Sequence, residues 1–155
     1  MATWAEIERE VPEFASRVRQ RFDSGTHKTL ATVRPDGSPR ISAIEAAFVD
    51  GELTLGMMPG SVKLRDVQRD PRIALHCPTV DAPDEENPGE WSGDAKLAGV
   101  LVENGESSGA EPSEGSHFAI DIRELVLIYI GGDPADRMVI ESWHAGTGWR
   151  RRERK

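Results

Sequence analysis

Apolar residues recur at three- and four-residue steps near the start of the chain, where Trp4, Ile7, Val11, Phe14, Val18 and Phe22 form one stripe. That pattern predicts helix over residues 3 to 23 with the stripe packed inward. Thr3 and Glu6 match a capping box, Pro12 divides the segment or begins its second helix, and Gly25 ends it.

The period then changes from helical to alternating. Thr29 to Arg34 is β-prone, and Pro35-Asp36-Gly37 supplies a turn in which Pro presets φ and Gly accepts φ > 0. In the strand that follows, Arg40, Ser42, Ile44 and Ala46 should share one face, and Ile41, Ala43, Glu45 and Ala47 the other. Asp50-Gly51 is a strong hairpin signal, so Glu52 to Met57 should return antiparallel. After Met58-Pro59-Gly60, Val62, Leu64 and Val67 stand near helical spacing, with Ser61 as N-cap and Asp70-Pro71 as the stop.

Further strands are predicted over Arg72 to Cys77 and Ala95 to Glu103. The second of these is apolar on both faces, as for burial on two sides. Phe118 to Ile130 reads as strand with a break near Arg123-Glu124, and Asp136 to His144 as a last strand before the tail. The chain should therefore be mainly β, a single domain over residues 1 to 155. About six antiparallel strands form a Greek-key barrel, with an N-terminal helix and a short helix after the third strand.

The net charge of -8 matters mainly for where it sits. Ten acids against Lys96 alone lie between Asp81 and Glu114, among Pro, Gly and Ser that favour solvated loops. The remainder is near neutral, and the acidic segment argues against nucleic acid as a partner. Arg150, Arg151, Arg152, Arg154 and Lys155 make a basic tail, read either as a frayed solvated terminus or as an anion-binding arm. No apolar run is long enough to span a membrane, and the acidic, amphipathic start lacks the form of a secretory signal, so a cytoplasmic protein is expected. The lone Cys77 suits a reducing compartment and reads as a packed thiol; His27, His76, His117 and His144 show no metal-ligand spacing.

No nucleophile, base and orienting acid stand at motif spacing, and there is neither a GxGxxG nor a Walker loop, so hydrolysis and the common nucleotide folds lack support. The short basic helix is the feature with chemistry to offer. Its first turn presents unpaired N–H groups and partial positive charge beside Lys63 and Arg65, which suits a phosphate. On spacing alone, a structural helix with solvated basic residues is the simpler account.

The order ATVRPDGSPRIS, then DGEL, then GSVKLRDVQRDPRIAL resembles the pyridoxamine 5'-phosphate oxidase-like superfamily of split β-barrels that bind flavin or deazaflavin, and is most like its small actinobacterial members. FAIDIRELVLIYI and the ending VIESWHAGTGWRRRERK also resemble that branch, whereas the acidic middle matches poorly. The resemblance implies a flavin mononucleotide or deazaflavin cofactor and hydride transfer to or from a small-molecule substrate. It places Arg40, Ile41 and Ser42 along the cofactor ring, Met57 and Met58 at the end of the third strand, and Ser61, Lys63 and Arg65 at the phosphate. It also implies a homodimer with cofactors in grooves between subunits, approached by Trp143 and His144 of the neighbouring subunit; packing at a dimer seam is the equal alternative for these two. No protein catalytic residue is expected, because the cofactor carries the chemistry.

One departure stands out. Relatives often carry a second basic residue just before the matching lysine, where this chain has Ser61-Val62. That change motivates the alternatives, a non-catalytic carrier of flavin or haem and, below it, a barrel serving only as a dimeric interaction module.

Overall fold

The computed structural model describes residues 1–103 and 116–155. The N-terminal stripe folds as two helices, α1 (Trp4–Glu10) and α2 (Pro12–Phe22), with Pro12 opening the second. Thr3 and Glu6 complete the capping box, each side chain bonding the other's backbone N–H. Trp4, Ile7, Phe14, Val18 and Phe22 are buried, and Trp4 packs its ring 4.7 Å from that of Phe48. A backbone bond from Ala5 N–H to the Gly51 carbonyl (2.8 Å) fastens α1 to the second hairpin turn.

Among the described residues eight strands follow these helices: β1 (His27–Val33), β2 (Pro39–Val49), β3 (Glu52–Met57), β4 (Arg72–His76), β5 (Asp94–Glu103), β6 (Ser116–Gly131), β7 (Arg137–His144) and β8 (Gly148–Arg154). A third helix, α3 (Val62–Arg69), lies between β3 and β4. Sheet order is β3-β2-β1-β4-β5-β6-β7-β8, and β3 also pairs with β6, which closes the first six strands into an antiparallel barrel. The expected split barrel with its leading and internal helices is therefore present. Among the described residues, no helix is long and apolar enough to cross a membrane.

The 16-residue β6 belongs to two structures at once. Ser116 to Ala119 pairs with β3 to seal the barrel, while Glu124 to Gly131 pairs with β7 beyond it. The expected break near Arg123-Glu124 is a β-bulge: Gly99 faces Ile122 and Ala98 faces Glu124, leaving Arg123 as the extra residue. Gly99 is required there, since a Cβ at that position would stand 2.4 Å from the Asp121 carbonyl oxygen.

Three expectations need correction. The basic tail is neither frayed nor a loose arm, because Gly148 to Arg154 forms β8 against β7 in full register. Its arginines fall on both faces and are exposed, so backbone pairing after the Gly146-Thr147-Gly148 turn sets the strand without an alternating apolar signal. Second, β5 is not buried on two sides: Ala95, Leu97 and Leu101 face the core, whereas Val102 is 38% exposed. Third, the acidic stretch after β4 is anchored where it can be seen. Buried Arg21 donates to the carbonyls of Pro78 (2.9 Å) and Gly93 (2.8 Å), and the Trp91 indole to that of Val80 (3.0 Å). The loop expected after the fifth strand, over 104–115, lies outside the described residues.

Candidate functional site

Gly60 adopts a positive φ of 74°, and the Ser61 N–H closes a turn on the Met58 carbonyl (3.2 Å) that reverses the chain out of β3. Ser61 then caps α3 as expected, its Oγ accepting from Leu64 N–H at 3.3 Å. The Ser61 hydroxyl thus accepts from the helix it starts and keeps its own O–H to donate. Leu64 and Val67 are buried against the barrel, but Val62, which spacing grouped with them, is 50% exposed. The third inward position is Asp66.

Asp66 is the buried hub of this corner. Its Oδ2 accepts from Arg40 Nε and from Thr32 Oγ1, both at 2.8 Å, and Arg69 lies 3.7 Å from Oδ1. Burial pushes its carboxyl up, but hydrogen bonds from Arg40 and Thr32 with the charges of Arg40 and Arg69 outweigh that and hold it below the usual carboxylate range. The result is a charge-assisted clasp joining α3 to β1 and β2. A second tie runs from Lys63 Nζ to the Ala43 carbonyl on β2, long at 3.4 Å and easily exchanged for a stronger acceptor. Lys63 is half-exposed and Arg65 exposed, so both cations remain open to an anion arriving at the first turn of α3.

The alternation predicted for β2 holds. Ile44 and Ala46 are buried, with Arg40 and Ser42 half-buried on the same side, and Ile41 is 74% exposed on the opposite side. The three residues expected along a ring therefore do not present side chains to one surface; Arg40 is committed through Nε to Asp66. Met57 is buried in the core and Met58 is 77% exposed. Arg40, Ser42, Ser61, Lys63 and Arg65 thus gather on adjoining elements. Trp143 is elsewhere, buried on β7, and its indole N–H has no acceptor among the described residues. His144 beside it is exposed and bonds Glu124 at 2.9 Å.

Sequence reasoning missed Asp66 and Thr32. The available signal was an acid directly before Val67, on the buried side of a short helix that already held Leu64. It also missed that β4 and β5 bring His76, Cys77 and Asp94 together, with potential ligand atoms within 4.8 Å of one another. That trio is poorly suited to a cation. Burial raises the pKa of the Cys77 thiol, its Sγ accepts the Ala95 N–H at 3.2 Å, and the Arg21 guanidinium stands 3.9 Å away. Cys77 is the packed thiol expected of it.

The family model for pyridoxamine 5'-phosphate oxidase matches residues 15–108, which include β1 to β4 and α3. A search of curated proteins returned no sequence match. Among solved structures, PhzG from Burkholderia lata 383, in complex with tetrahydrophenazine-1-carboxylic acid, aligns with a TM-score of 0.66 at 12% identity, over 98% of this chain and 93% of that one. A pyridoxamine 5'-phosphate oxidase-related, FMN-binding protein from Nostoc punctiforme PCC 73102 aligns with a TM-score of 0.65 at 13% identity, over 100% and 98%. The haem storage protein HutZ from Vibrio cholerae aligns with a TM-score of 0.55 at 11% identity, over 76% and 94%. At these identities the three share the fold.

Proposed function

The chain belongs to the pyridoxamine 5'-phosphate oxidase family, and from that premise we propose that it binds flavin mononucleotide or a deazaflavin coenzyme and acts as an oxidoreductase on a small-molecule substrate. The observation that carries the reading is the open cationic first turn of α3, with Lys63 and Arg65 beside a β2 strand clasped to the same helix. Helix amides and two cations suit a terminal phosphate, and the Lys63–Ala43 bond is weak enough for phosphate to displace. The residues present fit such a group, less strongly than a site with a further cation at Val62.

In this reading Lys63, Arg65 and the amides opening α3 hold the phosphate. Ser61 positions those amides by capping and has its O–H left to donate to the phosphate. Arg40 and Ser42 line the approach from β2, with Asp66 holding Arg40 in place, and Ile41 and Met58 contribute apolar surface in a homodimer whose grooves hold the cofactors, with the buried Trp143 packed behind the β7 wall of the groove. Bound flavin or deazaflavin supplies the hydride chemistry, and the chain binds, orients and shields it.

Anaerobic mixing of the protein and flavin mononucleotide, or the deazaflavin coenzyme, with a reduced nicotinamide or a candidate acceptor tests the activity. Steady turnover above that of free cofactor supports it, and binding without turnover opposes it. A second reading, a haem or flavin carrier without catalysis, draws on the likeness to HutZ and on the exposed Val62 where relatives often place a cation. Saturable haem binding with no flavin binding would favour it.

A further inference from the structure

Arg21 of α2 is a buried cation with no acid to answer it. It is 7% exposed, and its guanidinium donates from Nε to the Gly93 carbonyl and from Nη2 to the Pro78 carbonyl, with the Cys77 Sγ 3.9 Å from Nη2. All three partners are neutral. Glu90 and Asp94 belong to the segment that Arg21 anchors, yet neither they nor any other acid among the described residues forms an ion pair with it. A buried charge without a counter-ion is costly to hold.

Lys28 shows how such a cation is otherwise satisfied. It too is buried without an acid, but its ammonium donates to the carbonyls of Gly25, Thr26 and Ala46, which uses all three N–H groups. Arg21 stops short of this, because its Nη1 makes no hydrogen bond among the described residues. Nor is Nη1 sealed from solvent, in contrast to the orphaned Nε of Arg17.

The space beside Arg21 is a cavity of about 490 Å³ enclosed by α2, β6 and the segment before β5, a volume in the range of small-molecule sites. No carboxylate lines it. Arg17 also borders it, but its charge is answered by Glu141 of β7, which it meets in a fork, Nη1 to Oε2 at 2.5 Å and Nη2 to Oε1 at 2.7 Å. The same carboxylate accepts the Tyr129 hydroxyl at 2.7 Å and the Trp149 indole at 3.1 Å. One unanswered positive charge therefore remains on the lining, that of Arg21. Trp91 and Tyr129 supply aromatic surface, and Gln20 and Ser92, whose side chains make no hydrogen bond among the described residues, add donors.

We propose that this cavity is a second small-molecule site, which takes an aromatic monoanion with its carboxylate at Arg21 Nη1 and its ring against Trp91 and Tyr129. A single negative charge matches the lining. A cation would add to the charge already buried there, and a dianion would bring a second charge that no free cation meets. The site shares no residue with the α3 corner and stands independently of the cofactor assignment.

The test is a titration of the ¹⁵N-labelled full chain with biphenyl-4-carboxylate, following the indole resonances of the four tryptophans and the Arg21 Nε–H. The expected result is saturable movement of the Trp91 and Arg21 signals, with affinity about tenfold weaker for the isosteric, neutral biphenyl-4-carboxamide. Gln20 is an exposed helix position, so Gln20→Glu should keep the parent's melting temperature while placing an acid at the cavity. That variant should bind the carboxylate about tenfold more weakly and the amide as the parent does, and Gln20→Lys should bind the carboxylate more tightly. No saturable movement in the parent, equal affinity for acid and amide, unchanged carboxylate affinity in both Gln20 variants, or movement confined to Trp149 or to residues of α3 and β2 would overturn the proposal.

Discussion

Arg40 Nε donates to Asp66 Oδ2 at 2.8 Å, so the strand and the helix that frame the candidate phosphate site are joined by one charge-assisted bond. Because Thr32 uses the same oxygen, the clasp holds three elements together. Asp66→Asn keeps the shape but removes the charge. It should cost about 2 kcal/mol, read as a lower urea midpoint with an unchanged slope. An unchanged midpoint would show that the clasp contributes nothing net.

Lys63 makes one weak internal bond, so its removal should leave the fold intact. Lys63→Ala is expected to keep the parent's melting temperature to within a few degrees, while binding flavin mononucleotide or the deazaflavin coenzyme about tenfold more weakly or worse. Calorimetry and a fluorescence titration on the same sample separate the two effects.

Glu141→Gln leaves Arg17 beside a neutral amide and breaks an ion pair in which Glu141 is buried and Arg17 is a third exposed. A loss of about 2 kcal/mol is expected by chemical denaturation. For this variant a loss below about 1 kcal/mol would mean that Tyr129 and Trp149 are not held through the carboxylate.

Stability should depend on pH in an acid window. Burial works to raise both Asp66 and Glu141, but their hydrogen bonds and cations win, so each folded pKa lies below its unfolded value of about 3.9 for Asp and about 4.3 for Glu. The stabilisation from both is therefore complete above about pH 5 and is lost as pH falls through the depressed folded values. Unfolding curves from pH 7 to pH 3 should be flat and then fall, with a shallower fall in Asp66→Asn and Glu141→Gln. An equal fall in parent and variants would assign the acid sensitivity to other groups.

Gly99→Ala tests the bulge. The added Cβ meets a backbone carbonyl at 2.4 Å, which no side-chain rotation relieves. A loss of about 2 kcal/mol is expected, since either β5 or β6 must shift.

Much of this architecture is legible in local sequence, for reasons particular elements make plain. The stripe from Trp4 to Phe22, the Asp50-Gly51 turn and the Ser61 cap each carry their signal within a few residues, and each is found in place. Strand β8 was hidden because its pairing is by backbone and its arginines lie on both faces. Asp66 was hidden because an acid on a helix reads as solvated until Arg40, 26 residues earlier, is brought against it. The Arg17–Glu141 fork joins residues 124 positions apart, and no local pattern reports such a pair.

The most direct measurement is a titration of the purified protein with flavin mononucleotide and, separately, the deazaflavin coenzyme, following cofactor fluorescence in the parent and in Lys63→Ala. The account predicts saturable binding of at least one cofactor by the parent and clear weakening in the variant. Binding of neither, or equal binding by both proteins, would contradict a phosphate site at the first turn of α3.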